Sequence, residues 1–273
     1  MSIIVKNSFM PLLGVLGCGW LGVPLTKYLK SLGYAVRGSR TSEEGVLKLK
    51  KTGIEGHKVV LGIDDSKGIS EFINQLKILI IAVPPRKNSC NDHFVQKIQT
   101  LLNSLKSSSI ERILFLSSTS VYGPEGKIYD ETSSESPKTK SAINLLACEK
   151  LIKKNSIPSV IIRLGGLIGK DRNPIYQLQG KEISNPNGKI NFVDQEDAVK
   201  GIASLVSNKN LNGIFNLVSP HHPERETYYL HVSKKFKLPI PKFKLEKSVV
   251  RIIKGNKITE VTSFNYNVDN LLI

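Results

Sequence analysis

The feature that most constrains the fold is an alternation of short apolar runs with amphipathic segments over about the first two thirds of the chain. Runs such as ILIIAVPP and SVIIRLGGLIG are short, β-branched and ended by Pro or Gly, which is typical of strands buried on both faces. The segment from Asn91 to Leu105 carries Phe94, Ile98 and Leu101 at helical spacing. Strands and helices that alternate in this way predict an α/β protein with a doubly wound parallel sheet.

The alternation loosens after Gly165, where the sequence GKDRNPIYQLQGKEISNPNGKI is rich in Gly, Asn and Pro. A helix predicted from Gln195 to Val206 and a strand, GIFNLV, return to the sheet, and the segment HHPERETYYLHVSKKFKLPIPKF suggests a small helical lobe. We therefore predict one domain over residues 1–165. Residues 166–273 are predicted to return to the core and to form a small C-terminal lobe.

The first strand runs directly into the sequence GCGWLG, residues 17–22, and the next helix begins there. Glycines at this spacing between a strand and a helix indicate a dinucleotide-binding loop. Gly17 allows the tight turn, Gly19 lets the backbone approach a pyrophosphate, and Gly22 lets helix and strand pack closely. We predict that the pyrophosphate lies against Gly17, Cys18, Gly19, Trp20, Leu21 and Gly22.

The second strand ends Arg37-Gly38-Ser39-Arg40 and has no acidic residue there. NAD sites usually place Asp or Glu about 20 residues after the glycine loop, where it binds the ribose hydroxyls. A guanidinium and a hydroxyl at that place suit a 2′-phosphate instead, because arginine donates paired, charge-assisted hydrogen bonds. The sequence therefore favours NADP over NAD, with Ser39 and Arg40 at the adenosine phosphate. The alternative is that both arginines are ordinary solvated charges at a strand end.

The apolar run that ends at Cys18 also has the pattern of a lipoprotein signal sequence. Processing before Cys18 would remove the first strand and Gly17, on which the rest of the sheet depends. Lys6 is the only basic residue before the run, and Pro11 interrupts it. We therefore expect a buried strand and a cytoplasmic protein, without a membrane association.

Several later segments are arranged in the order of a known family. They are SSTSVYG (residues 117–123), RLGGLIG, DRNP, INFVDQEDAV with Asp197, and GIFNLV. Together with the glycine loop they resemble the NAD-dependent epimerase/dehydratase family, the extended short-chain dehydrogenases/reductases. The resemblance implies a Rossmann-type NAD(P)-binding domain over residues 1–165 and a C-terminal lobe that binds a small-molecule substrate, such as a sugar nucleotide or another alcohol or carbonyl compound.

The resemblance also implies site residues. Ser118 matches the family's Ser/Thr that hydrogen-bonds the substrate oxygen, and Ser117 is expected near the nicotinamide. Val83 and Pro84, at the end of the fourth strand, are expected to line the cofactor. The family's Tyr-x-x-x-Lys pair is missing, because counting back from Glu149 places Ser141 and Leu145 at its two positions. Without a phenol and an ammonium group, the usual proton transfer cannot run there.

Replacements for the missing pair are few. Tyr122 is the catalytic candidate beside Ser118, although a packing or substrate-lining role is the alternative. The other candidates are Lys138, Lys140, His93, His221 and His222, each of which has an ordinary structural interpretation as a solvated or capping residue. Two functions therefore remain open: an NADP-dependent oxidoreductase or epimerase-like enzyme with altered acid/base residues, or a catalytically inactive NADP-binding redox sensor or regulatory protein.

Composition excludes some other classes. The three cysteines, Cys18, Cys90 and Cys148, lie far apart and form no pattern with histidine, so we expect neither a metal site nor a disulfide framework. The formal net charge is +16, but its lysines are spread along the chain. The densest basic stretch, from Lys234 to Lys247, contains no recognisable nucleic-acid module or aromatic platform, which disfavours nucleic acid as a partner. The sequence leaves a homodimer open.

Overall fold

The computed structural model describes residues 10–85, 93–244, 246 and 249–272. The strands are β1 (Leu12–Leu16), β2 (Ala35–Arg40), β3 (Glu55–Lys58), β4 (Val60–Leu61), β5 (Ser66–Lys67), β6 (Ile78–Ile81), β7 (Arg112–Ser118), β8 (Ile128–Tyr129), β9 (Ser159–Leu164), β10 (Gly166–Ile168), β11 (Glu182–Ile183), β12 (Phe192–Asp194), β13 (Gly213–Leu217), β14 (Lys242–Phe243) and β15 (Ile252–Ile253). The helices are α1 (Gly22–Ser31), α2 (Glu43–Lys51), α3 (Ile69–Ile73), α4 (Phe94–Ser104), α5 (Lys140–Lys154), α6 (Ile175–Leu178), α7 (Gln195–Ser207), α8 (Arg225–Phe236) and α9 (Lys257–Val261), with a 3₁₀ turn at Thr119–Tyr122.

Seven strands form the central sheet in the order β13-β9-β7-β6-β1-β2-β3. The pairs β1–β2, β1–β6, β2–β3 and β9–β13 are parallel. Strand β1 pairs with β2 on one side and with β6 on the other, so the strand order reverses at β1. Ligands of such sheets bind beyond the carboxyl ends of the strands at this reversal. The order confirms the predicted doubly wound, parallel α/β fold.

Local sequence explains how the first strands and helices form. All four residues of β6 are buried, as expected for a strand covered on both faces. Helix α1 buries Leu25, Thr26 and Leu29 and is followed by Gly33 at φ 91°, a conformation that glycine adopts without cost. Ser42 caps α2 by accepting a hydrogen bond from the backbone N–H of Gly45 at 3.2 Å.

The chain divides into two compact units, both of them discontinuous in sequence. The first consists of the described residues of 1–83, 93–114 and 153–159, and the second of those of 84–92, 115–152 and 160–273. The predicted division at residue 165 stays a prediction. The first unit holds β1, β2, β3 and β6 with α1 to α4, and it therefore carries the whole glycine loop.

The second unit contains β9 and β13, and an apolar cluster of its own. The buried members of the cluster are Ile168, Ile175, Ile183, Ile190, Tyr228, Tyr229, Val232 and Leu271. They come from α6, α8 and the short strand pairs β10–β12 and β11–β14, or lie next to them. Within the described residues, we find no helix with the length and apolar character needed to cross a membrane.

Candidate functional site

The glycine loop begins where β1 ends, and two hydrogen bonds fix it to β2. The backbone N–H of Gly17 donates to Ser39 Oγ at 3.0 Å, and that of Cys18 donates to the Ser39 carbonyl at 2.9 Å. Gly17 has φ 100°, and a Cβ atom there would lie 2.8 Å from Val83 Cγ1 and 3.0 Å from the Ala82 carbonyl oxygen. No other residue fits this turn without strain.

The other two glycines differ in their surroundings. A Cβ atom on Gly22 would lie 2.6 Å from the Gly17 carbonyl oxygen, whereas a Cβ atom on Gly19 would have no neighbour within 4 Å. Gly22 therefore allows close packing, and Gly19 faces open space. Helix α1 starts beside this space, with no acidic residue in its first turn and no side-chain cap on its first N–H groups. The positive helix end and the bare backbone fit a pyrophosphate.

The side chain of Cys18 lies beneath the loop. Its Sγ is 3.5 Å from the Val15 carbonyl oxygen and 3.5 Å from Thr26 Oγ1, and burial raises the pKa of the thiol. The buried thiol of Cys18 thus points away from a phosphate, and its backbone N–H already donates to the Ser39 carbonyl. Trp20 is partly exposed, whereas Leu21 is buried and packs inward.

The two arginines of β2 differ in their hydrogen-bond partners. Arg37 donates to Glu55 Oε1 at 2.7 Å and to the Asn74 carbonyl at 2.7 Å, so it is held in place by its own unit. Arg40 Nε is buried and has no hydrogen-bond partner among the described residues. Ser39 is 2% exposed, and its hydroxyl oxygen fastens Gly17. The placing of Ser39 and Arg40 at an adenosine phosphate stays a prediction: Arg40 Nε has no described partner, and the Ser39 hydroxyl accepts from Gly17 and keeps its proton to donate.

Val83 and Pro84, the second and third residues after β6, lie in different units. Val83 is partly exposed and faces Gly17 in the first unit, as the contact with the Gly17 Cβ position shows. Pro84 is exposed and belongs to the second unit. The expectation that both line a cofactor stays a prediction.

The second unit holds the end of β7 through a buried ionic network. Ser117 Oγ donates to Glu149 Oε1 at 2.5 Å. Glu149 accepts hydrogen bonds from Arg163 Nε at 3.2 Å and Nη2 at 2.6 Å, and Nη2 also donates to Glu135 Oε1 at 2.5 Å. Burial opposes the charge on Arg163, but hydrogen bonds and the charge of Glu149 raise the pKa of its guanidinium. Ser117 is therefore part of the core of its unit.

Ser118 is better placed than Ser117 to meet a substrate. It is partly exposed, and its Oγ accepts the backbone N–H of Ser120 at 3.1 Å, which caps the 3₁₀ turn. That bond leaves the hydroxyl proton for another acceptor. The next carbonyl, of Thr119, accepts a hydrogen bond from Arg251 Nη2 at 2.6 Å. Hydrogen bonds therefore fix the turn after β7 at Ser118 and at Thr119.

Tyr122 is enclosed in the second unit. Its side chain is 0% exposed, its hydroxyl donates to Asn216 Oδ1 at 2.8 Å, and the Arg163 guanidinium lies 4.6 Å from the ring centroid. Burial raises the pKa of the phenol, although the charge of Arg163 opposes this. In this position Tyr122 packs and bonds inside its unit, and the predicted catalytic role has no contact here that supports it.

The remaining acid/base candidates have ordinary surroundings. Lys138 is exposed and lies 3.7 Å from Glu125 Oε1. His93 is exposed and comes directly before α4. His221 Nδ1 accepts the backbone N–H of Leu271 at 3.0 Å, and His222 Nδ1 lies 3.0 Å from the Ile190 carbonyl oxygen. Lys140 begins α5 and is exposed. In α5, Ser141 is partly exposed and Leu145 is buried.

Sequence reasoning missed three of these connections. Ser39 holds Gly17 across 22 residues, Arg163 holds Glu149 across 14, and Arg251 holds Thr119 across 132. No local spacing indicates such pairs, because each joins groups from separate elements of the chain. The position of Arg163 inside the apolar run of β9 was the one sequence feature that indicates a carboxylate partner, since a buried charge needs one.

The comparisons with known proteins agree with this geometry. The model of the NAD dependent epimerase/dehydratase family matches residues 14–218. Protein YeeZ of Escherichia coli (strain K12) is 31% identical over 271 residues, which cover 97% of this chain and 98% of that protein.

Two solved structures share the fold. UDP-glucuronic acid 4-epimerase from Bacillus cereus, in complex with NAD, has a TM-score of 0.78 at 17% identity, with 96% of both chains covered. A functionally unknown conserved protein from Silicibacter pomeroyi has a TM-score of 0.77 at 17% identity, again with 96% of both chains covered. With a family match over most of its length and a relative similar end to end, this chain belongs to the NAD-dependent epimerase/dehydratase family.

Proposed function

We propose that the protein binds NADP(H) at its glycine loop and acts as an oxidoreductase or epimerase-like enzyme on a small molecule with a hydroxyl or carbonyl group, such as a sugar nucleotide. Family membership supports a nicotinamide dinucleotide as cofactor. The Bacillus cereus relative by fold, described with NAD and acting on a UDP-sugar, supports the same class. The free, buried Cys18 and Cys148 support a reducing, cytoplasmic location.

The observation that carries the proposal is the open space at Gly19 beside the start of α1. The positive end of a ten-residue helix, which has no side-chain cap, begins three residues after a position where no side chain intrudes. The neighbouring glycines leave no such room, since added Cβ atoms there would clash with backbone oxygens. A diphosphate fits this place by both shape and charge.

The preference for NADP rests on Arg40. Its buried Nε has no partner among the described residues, and the strand that carries it ends without an acidic residue. A buried guanidinium atom without a hydrogen bond is costly, and a 2′-phosphate would supply the missing acceptor. NAD carries no such phosphate, so this arrangement favours NADP.

When bound, the cofactor supplies hydride transfer, and the chain's own residues would orient the substrate. Ser118 would donate its free hydroxyl proton to the substrate oxygen, while Ser117, Glu149 and Arg163 hold the strand end in place. The absence of a Tyr-x-x-x-Lys pair at Ser141 and Leu145 means that proton transfer there cannot use a phenol.

Trp20, the single tryptophan of the chain, provides the test, because it lies in the loop that would receive the pyrophosphate. NADPH should change its fluorescence saturably and at lower concentration than NADH. Purified protein is then mixed with NADPH and a panel of carbonyl compounds and UDP-sugars, and loss of the reduced-nicotinamide absorbance is followed. No fluorescence response to either cofactor would refute the binding proposal.

An NADP-binding regulatory or redox-sensing protein without hydride transfer is the second candidate. The lack of a phenol and an ammonium group at Ser141 and Leu145 favours it. Tight NADPH binding without turnover over the whole panel would support this function and reject the enzymatic one. Turnover that is lost in Ser118→Ala, with cofactor binding retained, would decide for the enzyme.

A further inference from the structure

We propose that a lysine-rich surface of the second unit binds single-stranded nucleic acid, a function separate from the cofactor loop. We call it the lysine surface and define it by Lys181, Lys234, Lys237, Lys242, Lys244 and Tyr176. Residues 227–244 contain five lysines and no aspartate or glutamate. A local excess of one charge attracts a polyanion more strongly than scattered charge of the same total.

The fold brings the members of this surface together from three segments. The backbone N–H of Lys242 donates to the Lys181 carbonyl at 2.9 Å, and that of Lys237 donates to the Lys234 carbonyl at 3.2 Å. The rings of Tyr176 and Phe236 lie 5.5 Å apart, which joins α6 to the end of α8. Lys181 and Tyr176 precede the lysine run by about a fifth of the chain, so the sequence does not show that they belong to it.

The lysines of this surface are not neutralised. The five lysines that define the surface are exposed, and none of them forms an ion pair with a carboxylate of the described residues; they are Lys181, Lys234, Lys237, Lys242 and Lys244. Glu182 is the register partner of Lys242 in the β11–β14 pair, but it forms no ion pair with it. Elsewhere, lysines do find carboxylates, as in Lys48–Glu44 at 2.5 Å and Lys77–Glu111 at 2.6 Å.

Tyr176 distinguishes this surface from charge alone. It is 39% exposed and packs at 36° against Phe236, so the phenol ring is supported from one side. Aromatic rings of this kind stack with unpaired bases, and lysines beside them follow the phosphate chain. The sequence disfavours nucleic acid because no aromatic platform is visible in the lysine run, and the fold supplies one. Lipid headgroups would use the charge but not the ring.

The experiment measures anisotropy of a fluorescently labelled oligouridylate of about 16 nucleotides, titrated with the full protein at several salt concentrations. Log affinity should fall linearly with log salt, by about 0.7 for each phosphate contact on a single strand. The variant Lys234→Glu/Lys237→Glu/Lys242→Glu should lower this slope by about 2 and the affinity at low salt by about 100-fold.

The matched control is Lys27→Glu/Lys50→Glu/Lys51→Glu, which makes the same change of charge at exposed lysines of the first unit. It should lower affinity by less than about threefold. Tyr176→Leu should weaken binding about tenfold, while Tyr176→Phe should bind like the original chain, because only the ring is needed. Circular dichroism and the Trp20 response to NADPH check that each variant is folded.

Three outcomes would overturn the proposal. They are no binding at low salt, equal losses in the two triple variants, and binding to phosphatidylserine vesicles with the same lysine dependence but none to the oligonucleotide. Equal losses would mean that total charge, rather than this surface, attracts the probe. Because cofactor binding is read separately through Trp20, failure of this proposal is distinguishable from failure of the proposed function.

Discussion

The sharpest expectation concerns Gly19→Ala, which should separate cofactor binding from stability. The Cβ atom of an alanine at this position would have no neighbour within 4 Å, and the backbone of Gly19 is not in the left-handed region. Replacing a glycine by alanine in a compatible conformation stabilises a protein by about 0.4–1 kcal/mol, because the unfolded chain loses freedom. We therefore expect an unchanged or slightly higher melting temperature.

Cofactor affinity should respond in the opposite direction. The added methyl group would occupy the open space that we assign to the pyrophosphate and would push it away from the backbone N–H groups. Losing one charge-assisted hydrogen bond costs about 1.5–3 kcal/mol, which corresponds to a rise in Kd of about 10- to 150-fold. Titration of Trp20 fluorescence with NADPH measures this change directly.

Gly17→Ala is the matched control, since it makes the same chemical change two residues away. Its Cβ atom would lie 2.8 Å from Val83 Cγ1, and its φ of 100° is unfavourable for alanine. Backbone strain of this kind costs about 1–3 kcal/mol, before the clash with Val83 is added. We expect this variant to unfold at lower temperature, by about 5 °C or more. Thermal melts followed by circular dichroism compare the two variants.

The contrast between the two variants is what can refute the reasoning. If Gly19→Ala binds NADPH as tightly as the original chain, the phosphates do not lie over Gly19. If it is destabilised as much as Gly17→Ala, the space above Gly19 is not open. Either result would remove the observation on which the proposed cofactor site depends.

Three further expectations follow from individual side chains. Arg40→Gln should weaken NADPH binding about tenfold or more and leave NADH binding unchanged, as measured by Trp20 fluorescence, because only NADPH has the phosphate that Arg40 would bind; equal effects on both cofactors would contradict this. Glu149→Gln should lower the free energy of unfolding, measured in urea, by about 3 kcal/mol, because Arg163 is left buried without its main counter-charge. Ser117→Ala removes one hydrogen bond to the same carboxylate and should lower it by about 1 kcal/mol. Burial raises the pKa of Cys148 to about 12, so the folded chain keeps the thiol protonated, whereas the unfolded chain loses the proton above about pH 9. The free energy of unfolding should therefore fall as pH rises from 9 towards 12. In Cys148→Ala the slope of this pH dependence should be smaller.

Much of the fold could be predicted from the sequence, because neighbouring residues indicate each strand, turn and helix. Five apolar residues before GCGWLG, and glycines at fixed spacing, are enough to predict a strand, a turn and a helix in that order. The hydrogen bonds of the β2 residues beside the glycine loop could not be predicted in the same way. The sequence does not show that the Ser39 hydroxyl oxygen accepts a hydrogen bond from Gly17, nor that Arg37 is bonded to Glu55 and Asn74; the role of Ser39 as a phosphate ligand stays a prediction. Which polar group at a strand end remains for a ligand depends on tertiary neighbours.

Glu149 shows the same limit for the catalytic residues. In the sequence it serves only to predict that Ser141 and Leu145 occupy the positions of the family's tyrosine and lysine. In the structure its carboxylate is fully enclosed and receives hydrogen bonds from Ser117 and Arg163, so the residue holds β7, β9 and α5 together within the second unit. A group with this role is needed whether or not the chain catalyses a reaction. The contacts of Glu149 with Ser117 and Arg163 therefore explain the fold, and only turnover that is lost in Ser118→Ala can indicate catalysis.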